Sequence, residues 1–219
     1  MLMFRITIAA AVVLSLGACT TVKHAPISQD SLSKLEGKSI VSARYGQPDF
    51  TAFTAGKAAF AMLGAAAMVA EGNTIVKENG IEDPAIAISA GLQSKLASLK
   101  NTTAVNASGV AAKDDVATVV AASQGGDFVL DVKTLTWMFN YYPTDWAHYR
   151  VSYTARLRLI DAATKTVVAE SACTGVQGDD KNPPTKDQLL ENGAGLLKEY
   201  LAKAGEACTE VLARDVLKL

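Results

Sequence analysis

The sequence predicts an α+β domain with an antiparallel-rich sheet and helices packed on one face of that sheet. Two observations favour this class. Residues 127–173 are rich in β-branched and aromatic residues and largely alternate apolar with polar side chains, which is typical of strands with one buried face. The flanking regions repeat apolar residues at spacings of three and four, which is typical of amphipathic helices. Runs of helices and runs of strands that are segregated in this way indicate an α+β fold.

The strongest strand signal lies in residues 148–160, where apolar and polar side chains alternate almost without interruption. We expect the apolar set to be buried and the polar set to face water. A turn at residues 161–165 and the segment 166–173 follow, and residues 127–139 precede, which predicts a three-stranded antiparallel meander. Shorter strands are predicted at residues 39–44 and 102–106. The predicted buried set is Tyr149, Val151, Tyr153, Ala155, Leu157 and Leu159, and the exposed set includes Arg150, Arg156 and Arg158.

Three helices are marked by capping residues and by apolar stripes. Asp83 stands before Pro84, an arrangement that satisfies free N–H groups at a helix N-terminus. The acidic pair Asp114-Asp115 opens the second helix. Thr185 and Gln188 have the spacing of a capping box at the start of the third. The stripes expected to face the core are Ile88, Leu92, Leu96 and Leu99, then Val116, Val119 and Val120, and finally Leu190, Ala194, Leu197, Leu201, Ala204, Cys208 and Val211.

Residues 52–70 form an unusual segment of mostly alanine, glycine and other apolar residues, in which Lys57 is the one charge. A helix that is apolar all round is normally buried, so we expect this segment to pack tightly inside the domain. Two alternatives remain open. Gly56 and Gly64, with the alanines around them, permit close helix–helix contact between subunits. Insertion into a membrane is the other alternative, although alanine contributes little to insertion and the lysine opposes it.

The N-terminus has the pattern of a secretory signal. Arg5 supplies the positive charge of an n-region, and residues 6–16 form an apolar stretch of secretory length. The segment Leu16-Gly17-Ala18-Cys19 closes this stretch and resembles the lipobox of bacterial lipoproteins. The resemblance implies a diacylglycerol on the Cys19 thiol, cleavage before that residue, and a further palmitate-type acyl chain on the new amine.

The same resemblance divides the chain and implies a location. Residues 1–18 are a lipoprotein signal peptide, residues 19–37 are polar and form a flexible tether, and residues 38–219 form one α+β domain. Thr20 stands where an aspartate favours retention at the inner membrane. We therefore expect a protein anchored by lipid in the bacterial envelope, at the outer membrane and facing the periplasm.

Two further cysteines are expected to form a disulfide. With Cys19 carrying lipid, Cys173 and Cys208 remain as an even pair in an oxidising compartment. Cys173 ends the last strand with the parity of its buried residues, and Cys208 lies on the apolar stripe of the last helix. Both side chains should therefore face the shared core. The alternative is two buried free thiols.

The predicted elements follow the order strand, helices, strand, helix, three antiparallel strands and long helix. With the lipobox, this order resembles that of lipoproteins related to the curli secretion channel and to the penicillin-binding-protein activator. The resemblance covers about residues 38–215 and rests on element order. It implies an anticodon-binding-domain-like fold, and a fold does not by itself define a function.

No catalytic, metal-binding or cofactor-binding motif occurs in the sequence: HExxH, CxxC, GxSxG, P-loop and GxGxxG patterns are all missing. His24 lies in the predicted tether, and His148 lies on a polar strand face, where a solvated histidine is expected. The pairs Asp114-Asp115 and Asp179-Asp180 lack the alternating oxygen ligands of a calcium loop. We therefore expect no metal, no cofactor and no enzymatic activity. The net charge of −1 does not supply the excess of positive charge that is typical of proteins that bind nucleic acid.

Aromatic residues concentrate around Pro143, between the first two strands of the meander. Such residues are enriched at binding surfaces. We expect the set to bind an envelope protein, and the alternative is a local mini-core that closes the sheet. The sequence thus predicts a non-enzymatic protein-binding or accessory lipoprotein. Other possibilities are a subunit of a homo-oligomeric export or pore assembly and an enzyme with an unrecognised site. The expected partner-binding residues are Trp137, Tyr141, Tyr142, Trp146 and Tyr149.

Overall fold

The computed structural model describes residues 22–178 and 181–219 and shows the α+β fold that the sequence predicted. The signal peptide, Cys19 and the pair Asp179-Asp180 lie outside these residues. The elements are α1 (Gln29–Ser33), β1 (Ser39–Ser42), β2 (Thr51–Phe53), α2 (Ala55–Ala58), α3 (Ala61–Asn79), α4 (Pro84–Lys100), β3 (Thr103–Val105), α5 (Val116–Ala122), β4 (Phe128–Tyr142), β5 (Asp145–Asp161), β6 (Thr166–Gln177), α6 (Lys186–Val211) and a π-helical segment (Leu212–Leu217).

The strands of the described chain form one open mixed sheet with the order β3-β1-β4-β5-β6. The antiparallel meander β4-β5-β6 is confirmed, and its strands are longer than the sequence indicated. The remaining pairings are parallel and were not predicted. β1 pairs with residues 128–130 of β4, and β2 pairs with residues 138–140 of the same strand. β2 therefore lies near the far end of the long β4–β5 hairpin.

One face of the sheet carries the main core. The six β5 side chains expected to be buried are all buried there, under α3, α4 and α6. The α4 stripe is buried at Ile88, Leu92 and Leu96, but Leu99 is exposed because the last turn of α4 extends beyond the sheet edge. The capping box of α6 is present, although the helix is interrupted at residues 191–194, where three residues adopt left-handed backbone angles. Beyond this break the stripe is buried up to Cys208, and Val211 is partly exposed.

The opposite face of the sheet is covered at one end by α5, so the helices do not all pack on one face. Val119 of α5 packs on Val129 and Ile160 in a second, smaller cluster. Asp115 caps α5 by accepting a hydrogen bond from Thr118 N at 2.9 Å. This cover changes the environment of the neighbouring charged residues on the same face.

The segment 22–37 is packed against the domain, where the sequence predicted a flexible tether. Ala25 forms an antiparallel bridge with Glu170 of β6, and Ile27 N donates a hydrogen bond to Val216 O at 2.9 Å. Leu35 is completely buried in the main core. The large apolar residues of this polar segment are few, but Ile27, Leu32 and Leu35 are all buried, and this outweighs the low overall hydrophobicity.

The alanine-rich segment 52–70 is not one helix. Ala52 is buried in β2, a short helix α2 follows, and α3 begins at residue 61 and continues to Asn79, well beyond the predicted end. Gly80 ends α3 in the left-handed conformation (φ 58°) that glycine adopts at low cost. Among the described residues, no helix combines the length and the hydropathy that a membrane crossing requires.

Candidate functional site

Two of the five aromatic residues expected to bind a partner belong to the core. Trp137 is 1% exposed, and its Nε1 donates a hydrogen bond to Asp49 O at 2.9 Å while its ring packs edge-on against Phe50. Tyr149 is buried and packs edge-on against Phe139. Both lie on the helix-covered face of the sheet, so neither side chain is available to a partner. These two residues belong to the main core of the domain.

The other three aromatic residues lie at the tip of the β4–β5 hairpin. Trp146 is 69% exposed, and its ring meets that of half-buried Tyr141 at 6.5 Å. Tyr141 in turn stacks on Phe53 of β2, with ring centroids 5.7 Å apart. Tyr142 is half-buried and lies 5.6 Å from the guanidinium of Arg150. We call Phe53, Tyr141, Tyr142 and Trp146 the hairpin end.

Hydrogen bonds and charges surround the rings of the hairpin end. Trp146 Nε1 donates to Pro143 O at 3.2 Å within the turn. Asp145 and His148 form a side-chain pair at 2.6 Å beside it. The register between β4 and β5 shifts at Tyr141 and Tyr142, which releases these side chains from the strict alternation of the strands. The hairpin end is thus an aromatic surface with polar groups at its margin.

A second exposed apolar surface follows Phe53 of the hairpin end in the chain. Phe60, Met62 and Leu63, between α2 and the first turn of α3, are 70%, 87% and 83% exposed. We call these three residues the shoulder. The composition of this segment predicted burial, so an exposed surface was not expected here. The available signal was the cluster of three large apolar residues within an otherwise alanine-rich stretch.

The shoulder is held in place by a close backbone contact and by ion pairs. A Cβ on Gly64 would lie 1.9 Å from Lys57 O, so only glycine permits this approach of α3 to α2. Glu71 of α3 is bonded to both Lys57 of α2 and Lys186 of α6. Burial of Glu71 favours a higher pKa, but the hydrogen bonds from Lys186 and Lys57 outweigh it and lower the pKa of this carboxyl. The ionised glutamate therefore ties the shoulder to the long helix.

The structure contains the disulfide that the sequence predicted. Cys173 of β6 and Cys208 of α6 are bonded, with Cα atoms 5.4 Å apart and a sequence separation of 35. Both residues are buried in the main core. The bond fixes α6 on the sheet. Both sulfurs are buried, so a redox partner has no direct access to them.

A cleft of about 1060 Å³ lies between the β1–β2 loop and helices α3 and α4. Asp83 stands at its edge, and burial raises the pKa of this carboxyl, although hydrogen bonds oppose the shift. Asp83 Oδ1 accepts hydrogen bonds from Ala85 N at 3.0 Å and from Thr134 Oγ1 at 2.5 Å. Asp83 thus caps α4, as the sequence predicted, and its Oδ1 is engaged by both donors.

Two of the three arginines expected to face water, Arg156 and Arg158, form a buried charge network under α5. Arg156 and Arg158 are almost fully buried and both contact Asp131, which has no exposed surface. Asp114, expected to be a solvated turn residue, pairs with Lys133 and Arg156. The hydrogen bond from Lys133 is the main reason that the pKa of Asp114 is lowered. This arrangement holds α5 on the sheet and leaves no open anion site on these guanidiniums.

Metal ligands are not brought together in residues 22–178 and 181–219: no group of three or more His, Cys, Asp or Glu side chains is suited to hold a metal ion. His24 Nδ1 lies 2.9 Å from Ser171 Oγ. His148 pairs with Asp145 at the hairpin end. The site that stands out within the described residues is therefore a surface, formed by the hairpin end and the shoulder.

No protein-family model matches this chain. No curated protein matches it either. Among solved structures, a hypothetical protein from Chlamydia trachomatis is 11% identical, with 82% of this chain and 95% of that chain covered and a TM-score of 0.41. A PelC dodecamer from Paraburkholderia phytofirmans is 14% identical (84% and 95% covered, TM-score 0.34). Lipoprotein GNA1162 from Neisseria meningitidis is 14% identical (75% and 95% covered, TM-score 0.27). These likenesses are too distant to assign a family.

Proposed function

We propose that this chain is a lipid-anchored envelope protein that faces the periplasm and acts as a non-enzymatic binding or accessory factor. The anchor is Cys19, and the signal-like N-terminus that ends in Leu16-Gly17-Ala18-Cys19 supports it. Outer-membrane sorting is part of the proposal, since Thr20 follows the lipidated cysteine.

The observation that carries the binding role is the exposure of the hairpin end. Trp146 presents most of its ring to solvent at the tip of a hairpin that is otherwise well packed. A hairpin turn can form without aromatic side chains, and exposed aromatic residues with polar neighbours are typical of protein interfaces. We propose that Tyr141, Tyr142 and Trp146 capture an envelope protein through this surface.

Crosslinking in cells tests the binding role. A photoreactive phenylalanine derivative is placed at position 146, and a matched control carries it at Ile86, which is also exposed but lies on α4. We expect a discrete protein adduct at position 146 and none at position 86. Adding Tyr142→Ala should reduce the adduct by about tenfold or more, because truncating an interface hot spot costs about 2 kcal/mol or more. Equal adducts at positions 146 and 86, or an adduct insensitive to Tyr142→Ala, would contradict the proposed surface.

A further inference from the structure

The shoulder has the chemistry of a surface that meets hydrocarbon rather than protein. Its three large side chains carry no hydrogen-bonding group, and the residues that follow them in α3, Ala65, Ala66 and Ala67, are also exposed. A helix that is apolar all round is normally covered, and contiguous exposed apolar patches mark interaction surfaces. The charge nearest in sequence, Lys57, is bonded to Glu71 and so is drawn back toward the domain.

The hairpin end differs from the shoulder in this respect. Its tyrosines and tryptophan carry polar atoms, and Asp145, His148 and Arg150 lie beside them. Mixed aromatic and polar surfaces suit protein partners. The two surfaces are close in the chain through Phe53, but their chemistry indicates different occupants.

The direction of the described N-terminal segment points toward the end of the sheet that contains β2. Ala25 bridges Glu170 in antiparallel fashion, so the chain from Ala25 back to Val22 runs toward Gln177, the last residue of β6. Gln177 pairs with Val151, which pairs with Phe139, and Phe139 pairs with Ala52 of β2. The shoulder begins at Phe60, after β2 and the short helix α2. The chain therefore leads toward the level of the sheet at which the shoulder lies.

The chain between the anchor and the domain is short. Cys19 precedes Val22 by three residues, and three Cα–Cα steps span at most roughly 11 Å. Acyl chains on Cys19 would hold the packed segment 22–37 close to the bilayer surface. The end of the sheet that contains β2 and the tip of the β4–β5 hairpin would lie near the bilayer as well.

We propose that the shoulder inserts into the interfacial layer of the phospholipid bilayer that holds the acyl chains of Cys19. This inference rests on the lipid anchor of the proposed function. Side chains of this kind bury about 5–10 Å into the boundary between headgroups and acyl chains. The second contact orients the domain, so that the neighbouring hairpin end is presented along the membrane surface.

Tryptophan fluorescence in vesicles tests this proposal with the full chain, purified from membranes after the mass of its N-terminal peptide has been determined. Leu63→Trp is introduced into a Trp146→Phe background, where the remaining Trp137 is buried and serves as a constant signal. The matched control is Ile86→Trp in the same background. Each protein is reconstituted into vesicles of phosphatidylethanolamine and phosphatidylglycerol, with and without bromine on the acyl chains.

We expect the emission of the tryptophan at position 63 to shift to shorter wavelength in vesicles. Most of its fluorescence intensity should be quenched in brominated vesicles, while the emission of the tryptophan at position 86 should not change. Equal emission at position 63 in both kinds of vesicle, from protein whose Cys19 is lipidated, overturns the shoulder proposal and leaves the anchor intact. Unmodified Cys19 overturns the anchor instead, and quenching at high vesicle concentration then decides whether the shoulder binds lipid without it. A detergent-solubilised assembly that Leu63→Ser dissociates into single chains would show that second copies, not lipid, cover the shoulder.

Discussion

Asp131 and Arg158 face each other across β4 and β5 as a register pair, and Arg158 Nε donates a hydrogen bond to the Asp131 carboxylate at 2.6 Å. Arg156 reaches the same carboxylate at 3.3 Å, and Tyr45 OH donates to it at 2.6 Å. Burial of Arg158 favours a lower pKa, but the Asp131 charge outweighs it and raises the pKa of this guanidinium. One fully buried carboxylate thus holds two guanidiniums beneath α5.

Asp131→Asn should destabilise the domain by about 3–5 kcal/mol, because the substitution leaves the buried guanidinium of Arg158 without its carboxylate partner and leaves Arg156 with Asp114 alone. The measurement is urea unfolding at neutral pH. Asp30→Asn, at an exposed position of α1, is the control and should change stability by less than about 0.5 kcal/mol. A loss at Asp131 no larger than that of the control would show that the network contributes nothing to stability.

The Cys173–Cys208 bond should contribute about 3–4 kcal/mol to the free energy of unfolding. It joins two residues that are 35 positions apart, and closing this loop lowers the entropy of the unfolded chain. Urea unfolding of the parent with and without reductant measures the effect and keeps both sulfurs in place. The double variant Cys173→Ala with Cys208→Ala should be destabilised to a similar degree. Two freely alkylatable thiols in the unreduced protein would refute the bond itself.

The two tryptophans should respond in opposite ways to truncation. Trp137→Ala empties a core position and should cost about 3–5 kcal/mol of stability. Trp146→Ala removes an exposed ring and should change stability by less than about 0.5 kcal/mol, while it weakens capture of the envelope partner. Thermal unfolding and the yield of the partner adduct, measured with the photoreactive residue at position 142 instead of 146, separate the two effects. A large loss of stability in Trp146→Ala would mean that the hairpin end is a structural mini-core.

The ion pairs of Glu71 should stabilise the shoulder in a pH-dependent way. Because Lys186 and Lys57 lower the pKa of Glu71 in the folded protein, their contribution is fully present above its ordinary value of 4.5 and is lost as pH falls through the lower folded value. Glu71→Gln should therefore cost about 1 kcal/mol at neutral pH, and this difference should shrink below pH 4.5.

Glu199→Gln is the control for the pH experiment, since Glu199 pairs with Lys203 on the exposed side of α6. Hydrogen exchange of the α2 and α3 amides at neutral pH locates the effect, and protection should fall in Glu71→Gln but not in Glu199→Gln. A cost of Glu71→Gln that is constant across pH would contradict the ionic explanation.

Local periodicity was sufficient to predict much of the fold. The alternation of β5 identified its buried face residue by residue, and the caps Asp83, Asp115 and Thr185 placed three helix starts. These signals are local, because a strand face or a helix cap depends on neighbours within a few residues. The disulfide was also predictable, since strand parity and helix stripe together placed both sulfurs in the core.

Features that depend on distant contacts were not predictable in the same way. The polar face of β5 became a buried charge network because α5 covers it, and α5 approaches from a different part of the chain. Segment 22–37 packs because its few apolar residues meet β6 and the C-terminal segment. The shoulder was missed for the opposite reason: its composition indicates burial, and no described element of the chain covers it.

The lipid on Cys19 is the central claim, and mass spectrometry of the N-terminal peptide from membrane-extracted protein tests it most directly. We predict a peptide that begins at Cys19 and carries the added mass of a diacylglycerol and an amide-linked acyl chain. Cys19→Ser should lack this modification and remain uncleaved. A parent peptide with an unmodified Cys19, or a Cys19→Ser protein that matures and partitions like the parent, would contradict the account.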